Sequence, residues 1–171
     1  EAGIYHRYFL SKKASMTRPE TQLKLALYSS ILHLCLGEPS KARKSMKKIL
    51  GSDKSFHTLP SYKTARLVNL LIQAELGNYD FFANEISSIK RTISYEKQMY
   101  ITEKLLFRFL MAHPLPIYRK DREKLWAQYQ KDITRIRQDK YEKQLLKTFD
   151  FTAWIESKLT NIPFREILYS E

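Results

Sequence analysis

Thr17-Arg18-Pro19-Glu20 opens, and Leu36-Gly37-Glu38-Pro39 closes, a stretch whose punctuation returns as Thr58-Leu59-Pro60 and Leu76-Gly77-Asn78-Tyr79. The starts lie 41 residues apart and the stops 40. Thr17-x-x-Glu20 reads as a capping box with proline in the first turn. The threonine hydroxyl would accept a backbone N–H, and the glutamate would reach back to the Thr17 N–H. Glycine after a leucine permits the left-handed turn that ends a helix. Pro39 restarts a helix across Ala42, Met46, Ile49 and Leu50, and the second unit continues through Phe82, Ile86 and Ile89. Two starts and two stops at one spacing predict two helical hairpins stacked side by side, each unable to bury its apolar face alone.

Outward from this core the pattern stays helical. No Asn-Gly or Asp-Gly turn and no sustained alternation signals a strand. In residues 119–138, Leu125, Trp126, Tyr129, Ile133 and Ile136 form one helical stripe. Ser94 is expected to cap a helix running through Met99, Leu105, Leu106, Phe109 and Leu110 to His113-Pro114. Asp139-x-x-Glu142 caps the next segment, with Leu145, Leu146, Phe149, Trp154, Ile155 and Leu159; Pro163 begins a last short helix. Residues 17–50 and 58–92 are thus read as repeats, 94–138 as a divergent hairpin and 139–171 as a C-terminal cap. Residues 1–14, with Ile4, Tyr5, Tyr8, Phe9 and Leu10, are read as the end of a truncated preceding repeat. About seven to eight helices are expected in one all-α domain spanning 1–171. A start at Glu1-Ala2-Gly3, without methionine, suggests the C-terminal portion of a longer protein.

Composition narrows the function classes. The 171 residues are 43% apolar, enough for a core despite a net charge of +12. Four scattered glycines, Gly3, Gly37, Gly51 and Gly77, build no phosphate-cradling loop. One cysteine, Cys35, gives no internal disulfide and no multi-cysteine metal site. The longest uncharged run, Leu25–Gly37, is thirteen residues, against about 20 for a membrane span. No signal-peptide pattern is visible, and a reduced, cytoplasmic protein is expected. The charge is concentrated early: residues 1–60 carry +7, 61–112 +2 and 113–171 +3. Such a balance suits nucleic acid or an acidic partner without choosing between them.

A helix ending in Leu-Gly, a short turn and a second helix together resemble the tetratricopeptide repeat family. Leu36-Gly37, then Ala42 and Met46, is similar to the family's Gly…Ala-x₃-aromatic pattern, with methionine for the aromatic. Leu76-Gly77-Asn78-Tyr79-Asp80 is similar to its turn, followed by Phe82 and Ile86. The first-helix pattern is replaced by Ala26, Ser29, Ser30 and His33, then by Arg66, Asn69, Leu70 and Gln73, and the spacing exceeds the family's roughly 34 residues. Residues 139–171 also resemble the C-terminal tail of uncharacterised bacterial repeat proteins that continue upstream. The resemblance implies a right-handed superhelix of stacked hairpins with a C-terminal capping helix, and a concave surface that binds a peptide or protein without catalysis.

Five residue sets are candidates. Arg66, Asn69 and Gln73 share one face of an otherwise apolar helix, as Ala26, Ser29 and His33 do in the preceding unit. They either line a groove that holds a partner, with Arg66 as a planar fork, or form an internal network between helices. Lys41, Arg43, Lys44, Lys47 and Lys48 form a basic run, either a phosphate-binding face or a solvated outer face. Arg119, Lys120, Arg122, Lys124, Lys131, Arg135 and Arg137, mixed with Asp121, Glu123, Asp132 and Asp139, read as a salt-bridged exposed surface. His33 and Cys35, two residues apart, point in different directions and do not ligate a metal together. The aromatics, including Tyr79, Phe81, Phe82, Phe107, Phe109, Trp126, Phe149 and Trp154, read as packing between repeats. The expectation is a non-enzymatic module without cofactor or metal. It binds a protein or peptide through its concave face, with Arg66, Asn69 and Gln73 as polar anchors. The alternative is a nucleic-acid-binding repeat using the Lys41–Lys48 face.

Overall fold

The computed structural model describes residues 18–51, 54–95 and 99–169. Among the described residues there is no strand, so the all-α expectation holds. The elements are α1 (Pro19–Cys35), α2 (Pro39–Leu50), a 3-10 turn (Lys54–Phe56), α3 (Pro60–Glu75), α4 (Phe81–Tyr95), α5 (Ile101–Met111), α6 (Arg119–Gln138), α7 (Glu142–Leu146), α8 (Phe151–Thr160) and α9 (Phe164–Tyr169).

Proline occupies the first turn of α1, α2 and α3. Its missing N–H is one a helix start leaves unbonded in any case, and its fixed φ suits the first turn. The capping-box reading rests on Thr17, which the described residues do not include. The N-cap of α1 is Arg18, without a side-chain cap, and Glu20 accepts from Lys24 Nζ at 2.7 Å. The predicted truncated repeat at 1–14 also lies outside the described residues. At α3 the cap is Leu59, in extended conformation, so there too the proline carries the start signal.

The two glycine stops are the same corner built twice. Gly37 and Gly77 have φ of +71° and +73°. Gly37 N–H donates to Leu34 O at 3.0 Å and Glu38 N–H to His33 O at 2.8 Å. Forty residues on, Gly77 N–H donates to Ala74 O at 3.1 Å and Asn78 N–H to Gln73 O at 2.9 Å. This bond pair defines the Schellman end, which satisfies carbonyls the last turn leaves open.

The helices group into two compact units that divide between Phe81 and Phe82. The predicted 58–92 hairpin therefore contributes α3 to the first and nearly all of α4 to the second. In the first unit α1 packs on α2, and α3 packs on both. Leu23, Ala26 and Leu27 of α1, Ala42, Met46 and Ile49 of α2, and Leu67, Val68, Leu70, Leu71 and Ile72 of α3 are among its buried apolar side chains, with Phe56 of the 3-10 turn near α1. Two hydrogen bonds tie the α1–α2 pair internally: Ser29 Oγ lies 3.1 Å from Ser45 Oγ, and Ser30 Oγ donates to Ala42 O at 3.1 Å.

In the second unit α5, α6 and α8 pack on one another, and α9 on α8. Phe109 lies between them, edge-on to Tyr129 at 5.6 Å and to Trp154 at 5.7 Å between ring centroids. Arg108 stacks 4.7 Å over the Tyr129 ring and donates to Asp132 at 2.6 Å. Arg137 bridges α6 to α8 through Thr152 and Glu156, each at 3.2 Å.

Two predicted boundaries are corrected here. Ser94 does not start a helix; it falls in the last turn of α4, and the next helix begins at Ile101. Glu103 accepts from the Tyr100 N–H at 3.0 Å. Glu142, buried and 41 residues downstream, accepts from Ile101 N at 2.6 Å, Thr102 N at 3.0 Å and Thr102 Oγ1 at 2.8 Å. The start of α5 is thus fixed by a distant carboxylate. Asp139 caps as expected, accepting from Tyr141 N at 2.7 Å and Glu142 N at 3.0 Å. The stretch after it is not continuous. Asp150 accepts from Ala153 N at 2.9 Å and starts α8 afresh, so residues 139–169 hold three helices.

Candidate functional site

Asn69 and Gln73 on α3 are 8% and 9% exposed. Gln73 Nε2 donates to Asn69 Oδ1 at 3.3 Å, and Asn78 Nδ2 donates to Gln73 Oε1 at 2.7 Å. The chain Asn69–Gln73–Asn78 therefore runs along α3 into its own C-terminal corner. Arg66 is half-buried and is the most exposed of the three.

The preceding corner is built alike. His33 Nδ1 lies 2.8 Å from Glu38 Oε2, in the positions of Gln73 and Asn78. Glu38 Oε1 also accepts from Lys41 Nζ at 2.7 Å. Lys41, and then His33, hold the Glu38 carboxyl below its ordinary range. Of the other stripe members, Ala26 and Ser29 are buried. At both corners the polar stripe is engaged within the chain.

The basic run has a different environment. Lys41, Arg43, Lys44 and Lys47 are exposed on α2, while Ala42, Ser45, Met46 and Ile49 are buried. The Lys48 side chain lies outside the described residues. On α6 the mixed charges pair as expected of an exposed face: Arg119 with Glu123 at 2.8 Å and Lys124 with Asp121 at 3.5 Å.

Sequence reasoning did not find a cleft of about 570 Å³ where the start of α6 meets the end of α8. Ile117, Arg119, Arg122, Glu123, Trp126 and Asn161 are among its lining residues. Arg122 spans it, donating from Nε to Pro116 O at 2.7 Å and from Nη1 to Asn161 Oδ1 at 2.6 Å. Asn161 holds φ +59° at the end of α8, a conformation asparagine tolerates better than most residues. A contact across 39 residues leaves no periodic trace in sequence. The paired Arg119 and Glu123, and an arginine already bonded to both walls, make this a braced joint.

Cys35 is partly buried, and burial pushes its thiol above its ordinary value, away from nucleophilic reactivity. Among the described residues no three His, Cys, Asp or Glu side chains gather to hold a metal. Phe82, Phe107, Phe109, Phe149 and Trp154 are buried; Phe81 and Trp126 are half-buried and Tyr79 is exposed. No helix among the described residues is long and apolar enough to cross a membrane. Compared with known protein families, curated proteins and solved structures, the chain finds no match in any of the three.

Proposed function

We propose that this chain is a non-catalytic adaptor, a divergent tetratricopeptide-like array whose hairpins stack into a right-handed superhelix and hold a protein or peptide. The observation that carries this reading is the duplicated corner: two left-handed glycines forty residues apart, each closing a helix by the same pair of backbone bonds. In the first unit α3 packs against both α1 and α2, as the first helix of a following hairpin would. In this proposal the packed helices act as a rigid frame, and preorganisation of that frame lowers the ordering cost of binding. Asn69 and Gln73 hold the second corner, and Arg66 is the member of that face that contacts the partner.

The test is capture of partners from a native lysate by the full-length protein and by Arg66→Ala and Arg66→Glu variants, alongside their melting curves. A defined protein retained by the wild type and lost from Arg66→Glu, at unchanged melting temperature, is the expected result. Equal retention by all three, or lowered melting with binding intact, would reduce Arg66 to an internal strut and overturn its role. Retention of no protein would remove the adaptor reading itself.

A further inference from the structure

Between Pro39 and Leu50, α2 carries five cations and no acid. At about 100° per residue, the buried Ala42, Ser45, Met46 and Ile49 fall on one arc of the helix. Lys41, Arg43, Lys44 and Lys47 take the opposite, exposed arc. Lys41 is engaged by Glu38. Among the described residues, Arg43, Lys44 and Lys47 have no ion-pair partner.

Within the chain this arrangement is self-repelling. Lys41 and Lys44 are three residues apart, Lys44 and Lys48 four, and Arg43 and Lys47 four, spacings at which like charges destabilise a helix. No acid stands in the first turn, where one would suit the helix dipole. The mixed-charge face of α6 relieves the same repulsion with interspersed acids. On α2 nothing among the described residues beyond Glu38 does so, and the face is complementary to an external polyanion.

Composition decides which polyanion. Protein interfaces centre on buried aromatic or aliphatic anchors and are depleted in lysine. The described part of this face has three lysines and one arginine, α2 has no aromatic residue, and its Met46 and Ile49 are buried in the core. Single-stranded nucleic acid is held by aromatic platforms, which are missing here. A duplex presents a phosphate charge about every 1.7 Å of axis, and cations alone suffice to hold it. We infer that the exposed face of α2 docks on the phosphate backbone of a nucleic-acid duplex, without selecting sequence. The inference is independent of the adaptor reading, because it uses a different surface.

The test is fluorescence anisotropy of the full chain with a mixed-sequence DNA duplex of about 20 base pairs, from low to physiological salt. With three to four phosphates neutralised, the log–log salt slope should be roughly −2.7 to −3.6. K44E/K47E should weaken binding at least tenfold and flatten the slope, while melting at the same temperature as wild type or higher because the new acids relieve repulsion. K120E, a reversal on α6, should leave binding unchanged. No binding at low salt, or unchanged affinity in K44E/K47E, would refute the inference. So would an equal loss in K120E, tighter binding of the single strand, or equal competition by polyglutamate of matched charge.

Discussion

Replacing Gly37 or Gly77 with alanine probes the duplicated corner directly. Both glycines sit at φ near +70°, and a Cβ built on either meets no atom within 4 Å. Steric collision therefore contributes nothing, and the cost is conformational. An L-residue in the left-handed region loses roughly 1–2 kcal/mol. Alanine regains part of that by narrowing the unfolded ensemble, an effect of about 0.4–1 kcal/mol. The net expectation is about 1 kcal/mol of destabilisation per site. Asparagine, which tolerates that region, should lose less than half as much. In urea, a 1 kcal/mol change moves the midpoint by roughly 0.3–1 M. The two corners share no hydrogen-bond partner, so the double variant should be additive within about 0.5 kcal/mol. Alanine indistinguishable from glycine at either site, or asparagine as damaging as alanine, would mean that the left-handed conformation is not what these positions require. A response at one site alone would mean that they are not one device used twice.

Three further perturbations follow from the described contacts. Glu142→Gln weakens the carboxylate that caps α5 at Ile101 and Thr102, and should destabilise by about 1–3 kcal/mol in thermal or urea melts, with Glu142→Ala worse. Phe109→Ala removes the ring between Tyr129 and Trp154 and should cost about 3–5 kcal/mol, read as a lowered melting temperature with weakened near-ultraviolet circular dichroism. Because the Glu38 carboxyl is held below its ordinary 4.5, its contribution to folding is present at neutral pH. It is lost as pH falls through that value and below, and Glu38→Gln should remove this part of the acid sensitivity.

What could be read from the sequence was local. Pro19, Pro39, Pro60, Gly37 and Gly77 restrict their own backbone angles, and each stands where the pattern put a helix start or stop. The stripe of Tyr129, Ile133 and Ile136 is buried for the same reason, since period 3.6 is a property of the helix itself. What was missed depends on distance in sequence. The start of α5 relies on Glu142, 41 residues from Ile101, as well as on the local Glu103, while Ser94, a good cap residue by type, lies inside α4. The break before α8 hid behind the apolar run around it, although Asp150 was a readable cap. The cleft beside Trp126 depends on Arg122 meeting Asn161, which periodicity does not report.

The polar stripe shows how a correct face assignment still leaves the role open. Offsets of 0, 3 and 7 put Arg66, Asn69 and Gln73 on one side of α3, but the same offsets serve a groove or an interior. The deciding residue was Asn78, five positions after Gln73 and therefore legible as part of the corner. In a Schellman end the third residue from the helix terminus usually meets the second residue after it through an apolar contact. Here that staple is a hydrogen bond in both copies, His33 with Glu38 and Gln73 with Asn78. A hydrogen bond imposes a direction and distance that an apolar contact does not, so it restricts how the chain leaves the corner. The chemistry differs between copies while the geometry is shared, which indicates that the corner, rather than any particular pair, is what this architecture requires. A double-mutant cycle over Gln73→Ala and Asn78→Ala should accordingly show a coupling of about 0.5–1.5 kcal/mol. Zero coupling would mean that the backbone bonds alone hold the turn.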